Sequence, residues 1–216
     1  MPDNIINNIK IVVEKKLEGE GSGHDWWHIF RVWNLAKHLA DLENADQQVV
    51  ELAALLHDIA DWKFHDGDES AGPREARRCL DQAGADPVIT DHVCEIVATI
   101  SYKGAGVATP MKTLEGQVVQ DADRLDAIGA VGIARTFAYG GHKDRLMYHP
   151  DEKPHMHQSF EEYKKNSGHT INHFYEKLLL LKDRMNTSEA KKMAAERHRF
   201  MQQYLDQFFL EWDGKA

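Results

Sequence analysis

Val49-Val50-Glu51-Leu52-Ala53-Ala54-Leu55-Leu56-His57-Asp58-Ile59-Ala60-Asp61 decides the fold of this 216-residue chain. Asp46 precedes it as a suitable helix N-cap, and Val49, Val50, Leu52, Ala53, Leu56 and Ile59 recur at helical spacing. The run is apolar nearly all round, so a helix through Ile59 is expected at the centre of a helical core. Within it stand an adjacent imidazole and carboxylate, His57 and Asp58. A bare charge in such surroundings is costly unless it is paired or bound to a metal. At about 100° per residue, His57 and Asp58 point about 100° apart, and Asp61 falls about 40° from His57. Those ligands can share one ion. A His–Asp pair hydrogen-bonded in the core is the plain alternative.

The helical period continues on both sides. Ile5, Ile6, Ile9, Val12 and Val13 mark a helix over 3–18, broken by Gly19 to Gly23. Ile29, Val32, Trp33, Leu35, Ala36 and Leu39 mark another over about 25–41. Gly67 to Gly72 reads as a loop and 73–83 as a short polar helix. Asp86-Pro87 combines an N-cap with proline at the first helical position and opens a helix through Ile100. Gly104 to Pro110 is a loop, followed by helices over 113–128 and 129–139. Residues 140–157 are rich in glycine, proline, histidine and charge and read as a mobile segment. Two long helices close the chain near 159–185 and 187–212. With no strand pattern, repeat or separating linker, the expectation is one all-α domain, a single helical bundle over 1–216.

Composition narrows the function. The formal charge is −9, which argues against a broad basic face for a nucleic-acid duplex. A small anionic substrate stays open, because a metal and a few local cations can override the global sign. Cys79 and Cys94 form no C-x-x-C pair and read as free thiols of a reducing compartment. The N-terminal residues lack a basic region followed by an apolar one, and no apolar run approaches about 18 residues. A cytoplasmic protein with no signal peptide and no membrane span is expected.

Two more places carry chemistry. His24-Asp25-Trp26-Trp27-His28 spaces two histidines at i, i+4, but Gly21-Ser22-Gly23 puts His24 at or before the helix start. Downstream, Asp121, Asp123 and Asp126 flank a buried stripe of Val118, Ala122 and Leu125. Asp121 and Asp123 lie about 200° apart on a helix, so both cannot face one ion. The residues alone leave that choice open. Imidazole with carboxylate suits Mn, Fe, Zn, Co or Mg rather than a thiolate-loving metal.

The ordered series His28, His57-Asp58 and Asp123 resembles the H…HD…D signature of the HD-domain metal-dependent phosphohydrolases. Its surroundings agree: His28-Ile29-Phe30-Arg31-Val32 is similar to the family's H-x-x-R-V, and Ala122-Asp123-Arg124-Leu125 to its A-D-x-L. Leu56 to Asp61, Ile100-Ser101-Tyr102 and Val118 to Gly129 resemble the small bacterial HD hydrolases of the nucleotide pyrophosphohydrolase type. The resemblance covers about residues 20–140 and leaves roughly the last 75 unmatched. It implies an all-α HD domain and one divalent metal, Mn first, with Mg, Co, Fe, Ni or Zn as alternatives. His28, His57, Asp58 and Asp123 are the implied ligands, which selects Asp123 over Asp121. The implied reaction is hydrolysis of nucleoside or deoxynucleoside triphosphates to monophosphate and pyrophosphate.

Asp61 is the expected general base or water-orienting group, being beside the ion on a ligand-bearing helix. Arg31, Lys63, Lys103 and Arg124 are the nearest cations for phosphate, with Arg135 a further candidate; Tyr102 can stack on a base or fill the core. The small-residue stretch from Gly129 to Gly141 holds no phosphate-binding P-loop and reads mainly as helix packing. The segment with His142, His149, His155 and His157 reads as a lid; a second metal site there is an alternative without a compelling ligand spacing. Competing functions are a nucleoside monophosphate phosphatase, a cyclic-nucleotide phosphodiesterase, a di-iron oxygenase drawing on His65 and His92, and a non-enzymatic metal-stabilised sensor. The C-terminal helices either pack on the core or form a homodimer face.

Overall fold

Helical periodicity governs the computed structural model, which describes residues 2–18, 25–60, 68, 70–159, 161–162 and 168–216. All regular structure among the described residues is helical. The chain divides into two compact units, one of residues 1–102 and 109–123, the other of 103–108 and 124–216. None of the helices described is long and apolar enough to cross a membrane.

The first unit contains α1 (Pro2–Lys16), α2 (Trp26–Glu43), α3 (Gln47–Leu56), α4 (Ala71–Ala83), α5 (Pro87–Thr99) and most of α6 (Leu114–Asp126). The central place of α3 follows from its composition: Val49, Val50 and Leu52 to Leu56 are all buried, and it packs on α1, α2 and α5. Its start is set by Asp46, whose carboxylate accepts from the Val49 N–H at 3.1 Å. Asp86 does the same for α5, accepting from Val88 at 2.8 Å, with Pro87 at the first helical position. The polar α4 packs on α1 and α5, and Lys16 bridges to Glu75 at 2.7 Å. Gln120 of α6 is fully buried, and its amide donates to the carbonyls of Ile100 (3.2 Å) and Thr109 (3.1 Å). Those two bonds pin both ends of the 103–108 excursion.

The second unit contains α7 (Gly129–His142), α8 (Thr170–Glu176), a 3-10 helix (Leu178–Arg184) and α9 (Ser188–Trp212). α7 and the 3-10 helix both pack on α8 and α9. Phe174 of α8 is fully buried and stacks on Tyr204 of α9, with Phe137 of α7 against both rings. Gly140 lets α7 approach α8 closely, since a Cβ there would collide with the Thr170 hydroxyl. Helix packing accounts for Gly140 and for Gly129, which lies against Arg197 of α9, but not for Gly141, where a Cβ would meet nothing.

The single helix expected near 159–185 is corrected. α8 begins at Thr170, where the His169 side chain accepts from Asn172 N–H at 3.2 Å, and it ends at Lys177. The next turn winds as 3-10, whose i, i+3 spacing brings Leu178 and Leu181 onto one buried face. The segment expected to be mobile, 140–157, has several tethers: Thr170 and Ile171 N–H donate to Leu146 and Met147 carbonyls at 2.9 and 3.0 Å. Cys79 and Cys94 are free and buried, and burial pushes both thiols up from their ordinary value.

Candidate metal centre

The first unit brings His28, His57, Asp58 and Asp123 together. His28 is placed by the start of α2: Asp25 is the N-cap, and its carboxylate accepts from the His28 N–H at 2.9 Å. The ring thus emerges in the first turn of α2 and is buried, at 1% exposure. His24, the other histidine of that motif, lies outside the described residues.

His57 is the C-cap of α3, which ends at Leu56; residues 57–60 form a turn. The expected helix through Ile59 is therefore corrected, and the angular argument for Asp58 and Asp61 does not apply. The cause is local. His57 Nδ1 donates to the Ala54 carbonyl at 2.8 Å, the acceptor that a continuing helix would offer to the Asp58 N–H. Ile59 N–H instead closes a tighter turn onto Leu56 O at 3.1 Å. A carbonyl only accepts, so the proton sits on Nδ1 and Nε2 carries a lone pair. This is the tautomer that a metal-binding imidazole needs, and the Ala54 carbonyl orients the ring behind it.

The His57 Nε2 stands 3.2 Å from His28 Nε2, 3.7 Å from Asp58 Oδ2 and 3.8 Å from Asp123 Oδ1. His28 Nε2 stands 3.5 Å from each of the same carboxylate oxygens. Two ligands on bonds of about 2.0–2.2 Å stand roughly 3.0–3.5 Å apart for angles between square and tetrahedral. The observed separations sit at or just above that span. The His28, His57 and Asp58 donors lie within 4.8 Å of one another, and Asp123 approaches both imidazoles from its own side, an arrangement that a cation between them would stabilise. Both imidazole side chains are 1% exposed, whereas Asp58 and Asp123 are 16% and 33% exposed, so the cluster is walled on the histidine side and open on the aspartate side. A divalent metal fits this donor set.

The other aspartates of α6 go elsewhere. Asp121 is fully buried, and Asp126 pairs with Arg135 at 2.7 Å. Arg124, next to Asp123, is buried and donates to the Arg184 carbonyl. Arg31 lies one helical turn beyond His28 on α2, half-buried. Tyr102 and Lys103, both half-buried, mark the chain's crossing from the first unit to the second. Asp61 and Lys63, the expected base and one expected phosphate cation, lie outside the described residues. His92 bonds to the Thr113 hydroxyl at 2.8 Å, while His65 also lies outside the described residues. The contributors that motif reading missed are the Ala54 carbonyl and the Asp25 cap. The signal for the cap was present: an aspartate three residues before His28 at a helix start.

Comparison with known proteins agrees with the geometry. The model of the HD domain matches residues 26–128, an interval containing all four clustered donors. The chain is 40% identical to YpgQ of Bacillus subtilis over 92% of its own length and 89% of that protein's. Its fold is similar to a Lactobacillus plantarum protein, with a TM-score of 0.85, 37% identity and 97% of both chains covered. It is similar to an HD-superfamily hydrolase of Bacillus thuringiensis, with a TM-score of 0.76, 42% identity and 99% of both chains covered. A structure of YpgQ in complex with ADP superposes with a TM-score of 0.76 at 38% identity, covering 96% of this chain and 94% of that one.

Proposed function

The chain belongs to the HD-domain superfamily of metal-dependent phosphohydrolases, and from that premise we propose that it hydrolyses nucleoside or deoxynucleoside triphosphates to monophosphate and pyrophosphate. The observation that carries the nucleotide part is that YpgQ forms a complex with ADP. The cluster of His28, His57, Asp58 and Asp123 supplies the hydrolytic part.

A divalent metal held there, manganese in this proposal, would lower the pKa of a water molecule and polarise a phosphoryl oxygen. The two carboxylates balance a dication, so the local charge does not repel a triphosphate strongly. The Ala54 carbonyl engages Nδ1 of His57, so Nε2 is the ring nitrogen turned toward the cluster. The buried imidazoles exclude water from one side and leave the aspartate side for substrate. Water adds to the α-phosphorus, the bond to the bridging α–β oxygen breaks, and pyrophosphate departs. Asp61, three residues beyond Asp58, is assigned the water's proton.

Arg31 is assigned to the phosphates, one helical turn from His28, with Lys63, Lys103 and the base-stacking Tyr102 as further substrate contacts. Arg124, which donates to the Arg184 carbonyl, and Arg135, which pairs with Asp126, are further candidates for the phosphates. The protein is assigned to the cytoplasm, with a nucleotide as its small-molecule partner and the C-terminal helices as the candidate homodimer face.

Product analysis tests the reading. The full chain with Mn²⁺ and a panel of ribo- and deoxyribonucleoside triphosphates is expected to release pyrophosphate and monophosphate. Orthophosphate as the sole inorganic product would overturn the pyrophosphohydrolase assignment and favour a phosphatase on the same ligands.

A further inference from the structure

The second unit contains its own convergence of metal-type donors, on residues the phosphohydrolase site does not use. His155, His157 and Glu162 each offer one ligand atom, and the three atoms lie within 4.8 Å of one another. His155 Nε2 is 3.9 Å from Glu162 Oε2. The two imidazoles meet edge to face, with ring centroids 4.9 Å apart. Behind them, Glu176 Oε2 lies 3.9 Å from His157 Nε2, both side chains almost fully buried. We propose that this cluster is a divalent-cation site built from His155, His157 and Glu162 and backed by Glu176, with zinc as the metal it suits.

Three features favour a cation over a set of bare ion pairs. The first is distance: 3.9 Å exceeds hydrogen-bond reach, yet it matches the span between two ligands across an ion on bonds of about 2.1 Å at a wide angle. Ligands on such bonds stand at most about 4.2 Å apart. The exposed His155 and Glu162 side chains have the rotamer freedom to close a remaining gap of a few tenths of an ångström. The second is charge. Two carboxylates, Glu162 and Glu176, flank the two imidazoles, and one divalent cation balances both of them.

The third is support from the backbone. Gln158 N–H donates to Glu162 Oε2 at 2.8 Å, and His155 N–H donates to Glu176 Oε1 at 2.9 Å, so both carboxylates are aimed. Gly106 N–H donates to the His157 carbonyl at 3.0 Å, holding the segment from the other side. Gly104, at φ +122°, lets that loop lie directly on the 157–159 backbone, where a Cβ would stand 3.3 Å from Ser159 O. Donors oriented by a surrounding layer of hydrogen bonds are what a metal site requires. Two histidines and a glutamate leave a fourth position for water, a donor set that suits zinc. The site's role follows from its location: it ties residues 155–159 and Glu162 to α8.

The experiment uses the full chain carrying Asp58→Ala and Asp123→Ala, so that the first cluster no longer binds, dialysed against Zn²⁺ alone. About one zinc per chain is expected, with a higher melting temperature in zinc than in chelator. Adding His155→Ala is expected to weaken zinc binding by at least ~10-fold and abolish the zinc-dependent shift in melting temperature. His155 is 69% exposed, so its removal leaves the fold intact, with near-ultraviolet circular dichroism as the check. No bound zinc in the double variant, or zinc binding indifferent to His155→Ala, would overturn the proposal. Either failure leaves the phosphohydrolase reading untouched, because that reading rests on the first cluster.

Discussion

The two donor clusters are assembled by opposite means. His28, His57, Asp58 and Asp123 sit on, or at the ends of, helices whose apolar faces repeat at a regular period. His155 and His157 sit on irregular chain and Glu162 in a short helical stretch, and their placement depends on hydrogen bonds donated by Gly106 and Gln158 and accepted by the Glu176 carboxylate. In the first case the scaffold is a set of buried helices that stand without the ligands. In the second the ligands and the chain that carries them are held by the same few bonds. The difference predicts that metal binding at the first cluster is indifferent to loop contacts, whereas at the second it depends on the hydrogen bonds that hold its chain.

Asp58→Ala breaks or sharpens that contrast most severely. The substitution removes one of four donors without touching the buried face of α3. Metal affinity is expected to fall by at least ~100-fold and turnover with it. The metal-free melting temperature is expected to stay the same or rise, because one of two neighbouring carboxylates is gone. Metal content, turnover and melting in chelator are the three readings. Unchanged metal content would remove Asp58 from the ligand set. A lower metal-free melting temperature would show that the cluster also holds its scaffold.

The same contrast explains what was legible in the sequence. The Asp46 and Asp86 caps and the all-apolar α3 are local or periodic, and each was readable, whereas the choice of Asp123 over Asp121 came from the family resemblance and not from any period. The end of α3 was not. Leu55 to Ile59 continues the apolar period, and nothing in that period reports that the His57 ring takes the Ala54 carbonyl and stops the helix. The break at Lys177 was hidden for a similar reason: the leucines from Leu178 to Leu181 fit an α-helical and a 3-10 reading equally. His155 and His157 were visible as residues. Glu162 and Glu176 could not be joined to them, because five to twenty-one positions separate them with no period to relate them. Asp61 and Lys63 remain assignments from spacing and resemblance.

Arg184→Ala probes the irregular side of the contrast. The Arg184 guanidinium donates to the carbonyls of Gly104 (3.2 Å), Val107 (3.1 Å) and Ala105, and so organises the loop that Gly106 uses to hold His157. Its own carbonyl accepts from Arg124. Charge-assisted bonds contribute about 1.5–3 kcal/mol each, but they are not additive here, and a loss of roughly 2–4 kcal/mol is expected. Urea unfolding measures the loss. If the two clusters differ as argued, zinc binding in the Asp58→Ala, Asp123→Ala background falls with it. Zinc binding that survives Arg184→Ala would mean that the second cluster does not depend on that loop.

Glu75→Gln is the smallest perturbation and tests whether the helical scaffold is indifferent to either cluster. The Glu75 carboxylate accepts from Arg78 at 2.8 and 2.9 Å and from Lys16 at 2.7 Å, tying α4 to α1. Arg78 first, then Lys16, hold its pKa down to about 2 from an ordinary 4.5. A carboxyl depressed on folding stabilises the folded chain fully above the unfolded pKa, and that stabilisation disappears as pH falls through the folded one. The window therefore runs from 4.5 down to about 2. The pair is largely open to solvent, so screening limits its contribution to about 0.5–1 kcal/mol at neutral pH. Wild type is expected to exceed Glu75→Gln by that amount at pH 7, with the difference shrinking steadily below pH ~4.5 and in high salt. Metal binding at either cluster should not change. A difference that persists undiminished into acid would assign the effect to packing of α4 on α1 and not to charge.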